Sequence, residues 1–73
     1  MDIRVSADGM TLYLGDQVLA YLARKKGWGR EAWFVGEGLE PGVKAAVSNA
    51  IFSLNGCPWA EDLAKRIQEC FTG

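Results

Sequence analysis

This sequence predicts an α+β domain: an antiparallel meander of three or four strands, followed by two helices packed on one face. Three observations carry that expectation. Up to residue 35, apolar residues alternate in short runs separated by turn signals, as half-buried strands require. A cluster of glycine and proline then interrupts the chain between Gly36 and Gly42. Beyond it the apolar spacing changes to three and four, the period of an amphipathic helix.

In the first run, Ile3 and Val5 alternate with Arg4 and Ser6. Ala7-Asp8-Gly9 makes a turn, and Met10, Leu12 and Leu14 then alternate with Thr11 and Tyr13. Gly15-Asp16 is a second two-residue turn signal. The next arm, Gln17–Ala23, reads as a strand with Val18, Ala20 and Leu22 on one face and Leu19, Tyr21 and Ala23 on the other. Val18, Leu19, Tyr21 and Leu22 also satisfy helical spacing, so both readings of this arm stand. Its partner arm puts Glu31, Trp33 and Val35 on one face and Ala32 and Phe34 on the other. Large apolar groups on both faces place this pair of arms centrally in the sheet, with one face under a helix.

Pro41 suits the first turn of a helix, where its missing N–H costs nothing, and Glu40 complements the positive helix terminus. Val43, Ala46, Val47, Ala50, Ile51 and Leu54 form the apolar stripe, and Asn55-Gly56 supplies a left-handed cap. Pro58 opens a second helix with Ala60, Leu63, Ala64, Ile67, Cys70 and Phe71 inward. Glu61–Lys65 and Asp62–Arg66 are spaced for ion pairs four residues apart. Trp33 is expected in the core. Trp59 either packs as a lid over the end of the sheet, the favoured reading, or stands exposed as a second anchor.

The 73 residues make one domain, 1–73, whose core is small enough that a second copy or a bound partner would add needed buried surface. No stretch approaches the ~20 apolar residues of a membrane-spanning helix, and no basic segment precedes an apolar run at the N-terminus. Cys57 and Cys70 on one helix would lie about 20 Å apart, beyond the ~7 Å reach of a disulfide. Two reduced thiols suit a cytoplasmic location.

Histidine is absent, which removes the commonest general base and most metal ligand sets. Ser6, Ser48 and Ser53 have no activating context. Cys57 falls at the expected N-cap of the second helix, where a thiol pKa is lowered, but a small capping residue explains it as well. Glu37 and Glu40 read as a solvated loop pair. Gly36, Gly38 and Gly42 match no phosphate-binding spacing, and the two glutamates would repel a phosphate. The second helix is too acidic to read DNA as the latter half of a helix-turn-helix. The expectation is a protein with no catalytic residues, no metal and no cofactor.

Charge is unevenly spread along a chain of net charge -1. Arg24, Lys25, Lys26 and Arg30 crowd one loop around Trp28 with no acid among them. Such a loop is an ordinary charged turn, a protein-docking element built from the residue types that most often anchor interfaces, or a contact to nucleic acid. The partner-binding residues are therefore Arg24, Lys25, Lys26, Trp28 and Arg30. They face a larger protein or ribonucleoprotein complex, with nucleic acid alone as the alternative and no membrane.

The size and the meander-plus-helix layout resemble the small phage-encoded inhibitors of bacterial defence of the anti-CRISPR kind. The resemblance spans the whole chain, is architectural, and carries no motif. It implies a stoichiometric inhibitor that blocks a surface of a larger defence complex. Nine acids against eight bases set the chain apart from the strongly acidic DNA mimics of that group.

Overall fold

The computed structural model describes residues 2–24, 27, 29–55 and 58–72. The chain runs β1 (Ile3–Val5), β2 (Thr11–Leu14), β3 (Gln17–Arg24), β4 (Glu31–Val35), α1 (Pro41–Ser53) and α2 (Ala60–Thr72). The four strands form one antiparallel sheet in the order β1-β2-β3-β4, so each strand pairs with its neighbours in sequence. The α+β meander followed by two helices is the predicted architecture, and Gln17–Arg24 is strand, not helix.

Both helices lie on one face of the sheet. α1 rests on β3 and β4, α2 on β1 and β2, and the helices pack against each other. The core between these layers is Leu12, Leu19, Ala20, Trp33, Val47, Ala50, Ile51, Ala60, Leu63 and Ile67. Leu12, Leu19, Val47, Leu63 and Ile67 are its largest fully buried side chains. Each contributes about 1.5–3 kcal/mol of hydrophobic stabilisation. The register lines up the inward row Val5–Leu12–Ala20–Val35 across all four strands, with Leu22–Trp33 beside it.

One detail departs from simple alternation. The register shifts between Leu12 and Tyr13, whose partners are Ala20 and Val18. Leu19 is the extra residue, so consecutive residues Leu19 and Ala20 are both fully buried. The bulge moves Val18 to the opposite face, beside Tyr13, and separates it from Ala20 and Leu22. The central position expected for both hairpin arms holds for β3 alone; β4 is an edge strand.

The turns follow from residue chemistry. Gly15 has φ 61° and leads a two-residue connection from Leu14 to Gln17. Positive φ at the first central residue with Asp16 outside the left-handed region is the II′ pattern, which calls for glycine at that first position. Between β1 and β2, Ser6 and Asp8 build a side-chain network. Ser6 Oγ–H donates to Asp8 Oδ1 at 2.5 Å, and the Met10 N–H donates to the same oxygen at 3.0 Å. The Thr11 N–H donates to Ser6 Oγ at 3.0 Å. These donors favour the ionised carboxyl and hold Asp8 below its ordinary value of 3.8, the Ser6 hydroxyl being the largest cause.

A lowered folded-state pKa means the contribution is complete above the unfolded value and disappears as pH falls through the folded one. Asp8→Asn should therefore remove part of the acid dependence of stability below about pH 4, leaving neutral stability little changed because the group is exposed. Urea midpoints of parent and variant from pH 6 down to pH 2.5 check this. Parallel curves would show that the turn network does not act through the charge.

α1 opens as expected. Pro41 is its first residue, and Glu40 occupies the cap position in an extended conformation with φ -62° and ψ 150°, without a side-chain capping bond. It ends at Leu54 with Asn55 left-handed at φ 63°. α2 begins at Ala60, two residues beyond Pro58, with Glu61 and Asp62 in its first turn. The residue preceding α2 is thus Trp59, which overturns the expected capping position of Cys57; Cys57 itself lies outside the described residues.

The surface of α2 differs in two further respects. Among the described residues neither Glu61–Lys65 nor Asp62–Arg66 forms an ion pair, and Arg66 turns to other partners. Its Nη1 meets Glu69 Oε2 at 3.3 Å and its Nε donates to Ser53 Oγ at 3.2 Å, tying α2 to the end of α1. Cys70, expected in the core, is exposed. The buried stripe runs Ala60, Leu63 and Ile67 to the half-buried Phe71; Cys70 shares the phase of Leu63 two turns earlier, but lies in the last turns of α2, where no residue after Ile67 is fully buried among the described residues.

Candidate partner-binding surface

The sheet has one face under the helices and one face under none of them. On the uncovered face the register aligns Arg4 with Tyr13, Tyr13 with Val18, Thr11 with Tyr21, Tyr21 with Phe34 and Ala23 with Ala32. The Tyr21 and Phe34 rings lie with centroids 5.8 Å apart at 32°. The Arg4 guanidinium stands over the Tyr13 ring at 5.8 Å and donates to the Gly15 carbonyl at 3.0 Å. These side chains are half-buried apart from the exposed Arg4.

The basic loop leaves one end of this face. Arg24 closes β3 opposite Glu31, the first residue of β4, and Arg30 immediately precedes it. Arg24 and Arg30 are both exposed. Gly27 and Gly29 have φ 92° and 74°, the left-handed values anticipated for a reversal here. The remaining predicted partner-binding residues, Lys25, Lys26 and Trp28, lie outside the described residues. Two cations of the loop are thus placed at the foot of the β3–β4 hairpin, Arg24 in the row of Ala20 and Leu22 and Arg30 two residues before Ala32 in the row of Phe34.

Two hollows adjoin this sheet. One, of about 650 Å³, runs along the β4 edge between the strand and α1; Arg30, Ala32, Phe34, Ser48, Phe52 and Asn55 are among its lining residues. Phe52 is 87% exposed on α1. The other, about 390 Å³, lies between the Ser6–Met10 turn and the start of α2, with Trp33, Pro58 and Trp59 in its walls. Trp33 is buried as expected and its Nε1–H donates to the Pro58 carbonyl at 2.9 Å. Trp59 is not the expected lid: it is 79% exposed. Preceding α2 by one residue, it is not anchored by the stripe that begins at Ala60.

Phe52 and the β4–α1 groove were not legible as surface features in the sequence. Phe52 sits beside Ile51 on the helix, and adjacency to an inward position hides an outward one until the phase of the helix is fixed. Gly36 is buried against the β3 backbone, where its N–H donates to the Leu19 carbonyl at 2.8 Å. It is a packing residue. Glu37 and Glu40 are exposed. Among the described residues no group of three metal-ligating side chains comes together, and no helix is long and apolar enough to cross a membrane.

Compared with known protein families, with characterised proteins and with solved structures, the chain matches none.

Proposed function

We propose that this chain is a non-enzymatic protein-binding module that docks on a larger protein or ribonucleoprotein complex through Arg24, Lys25, Lys26, Trp28, Arg30 and the adjoining strand surface. The observation that carries the reading is the exposed pair Arg24 and Arg30 at the foot of the hairpin whose uncovered face bears Tyr21 and Phe34. Cations beside partly exposed aromatics give both orientation and a desolvated anchor in protein interfaces. The finer form of the proposal is a phage-type inhibitor that acts in the cytoplasm by covering a surface of a bacterial defence complex; the architectural resemblance supports it.

The test is capture of partners from bacterial lysate by the parent domain and by a variant with Trp28→Ala, Lys25→Glu and Lys26→Glu, both nuclease-treated. A protein retained by the parent should be lost from the variant while its circular dichroism stays that of the parent. Retention by the folded variant would sink the reading.

A second reading has its own observation. Tyr13, Tyr21 and Phe34 share one sheet face with Arg4, an arrangement on which single-stranded bases can stack. If it holds, binding of an oligonucleotide falls steeply with salt. Absent or salt-insensitive binding discards it.

A further inference from the structure

We infer that the groove along the β4 edge is where the docked protein inserts an apolar side chain, carried on an acidic segment whose carboxylate pairs with Arg30. This rests on the protein-binding reading above and adds the chemistry of the segment that binds. The groove is the larger of the two hollows described, at about 650 Å³, ample for one large side chain. Its walls are mostly apolar: Ala32, Phe34 and Val35 from β4, Ile51 and Phe52 from α1. A pocket with apolar walls and a few placed polar groups takes an apolar body and reads its polar end.

The polar groups are Arg30 at one end, with Ser48 and Asn55 on the helix side. Arg30 is the charged residue of the lining, and no ion pair occupies it among the described residues. Its complement is a carboxylate, which a guanidinium holds in bidentate geometry. Arg24, across the strand pair from Glu31, offsets that acid, so Arg30 is the cation left to meet a carboxylate at the groove. A segment approaching an otherwise slightly acidic protein is drawn to this end if it is acidic. Phe52, 87% exposed beside the groove, is apolar surface that such a segment would cover.

Selection of random twelve-residue peptides on the immobilised domain tests the inference. Enriched peptides should carry a large aliphatic or aromatic residue within two positions of Asp or Glu. Arg30→Glu and Ser48→Trp should each weaken the best peptide at least about tenfold, the first by reversing the charge and the second by filling the groove from an exposed helix position. Amide spectra of both variants establish that they are folded, and the two substitutions lie in different elements.

Absence of enrichment, enrichment of basic peptides, or binding indifferent to folded Ser48→Trp overturns the inference. Peptides lost on Lys25→Glu with Lys26→Glu but unaffected by Ser48→Trp would overturn the groove while leaving the loop as the docking element. A dimer in sedimentation that Ser48→Trp dissociates would give the groove to a second copy, and also overturn it.

Discussion

Gly36→Ala should destabilise the domain by about 3 kcal/mol, the upper part of the range for overpacking a buried site. A Cβ at Gly36 would collide with the Val18 carbonyl oxygen and lie 2.8 Å from its carbonyl carbon and 3.3 Å from that of Leu19. These are backbone atoms of the bulged stretch of β3, which cannot swing aside as a side chain does. Moving them apart would break the bond from the Gly36 N–H to the Leu19 carbonyl, 2.8 Å long. Gly42→Ala is the matched control. It lies in the first turn of α1 with open space around its Cβ, and should gain about 0.4–1 kcal/mol by restricting the unfolded chain. Urea midpoints measure both. Equal midpoints for the two variants would refute the close approach of Gly36 to β3.

Trp33→Ala should cost about 3–5 kcal/mol, the usual range for emptying a buried aromatic site. Trp33 is 3% exposed, and its indole hydrogen bond to Pro58 links β4 to the approach of α2. Trp33→Phe separates the two contributions. It keeps most of the apolar volume, loses the donor, and leaves the Pro58 carbonyl unmatched, at about 1 kcal/mol for the bond. Denaturant titrations of the two variants should therefore differ severalfold in lost stability. Equal losses would show that the bond, not the volume, governs the site. Fluorescence adds a second readout, because Trp33 is buried: with Trp28 and Trp59 both replaced by phenylalanine, the remaining Trp33 emission should be only weakly quenched by acrylamide.

Much of the fold was legible from local pattern alone. Alternation in Ile3–Val5 and Leu12–Leu14, the Gly15-Asp16 turn, Pro41 and Asn55 each report a backbone preference that the final structure does not override. What alternation cannot give is lateral order. The same apolar residues on both faces of Ala32–Val35 fit a central strand or, as here, an edge strand whose second face shares an aromatic contact with β3. Nor does it foresee a bulge, since Leu19 and Ala20 look like opposite faces until the strand is paired with β2.

Of the binding surface, the sequence supplied the charge cluster but not its setting. Arg24 and Arg30 could be named from composition. That Arg30 lines a groove, and that the hairpin bears an uncovered aromatic face, depends on both helices choosing the same side of the sheet. Trp59 and Cys70 were assigned inward because they stand next to, or near the period of, inward residues. Trp59 stands before the first residue of α2, and Cys70 keeps the phase of Leu63 but falls beyond Ile67, the last fully buried residue described on that helix. The Asp62–Arg66 pair failed for a tertiary reason: Ser53, from α1, offers Arg66 a different partner.

The pairing order has a consequence for how the molecule forms. Every strand joins its predecessor across a short reversal, so the sheet can zip from local hairpins with little loop-closure cost. α2 does not follow that rule, for it covers β1 and β2, the first elements made. On a ribosome adding about 5–20 residues per second, β1 and β2 can pair seconds before α2 exists to shield Ile3, Val5, Leu12 and Leu14. The nascent chain thus passes through a half-roofed sheet, vulnerable to chaperone capture or to sticking to a neighbouring copy, until synthesis reaches Ile67.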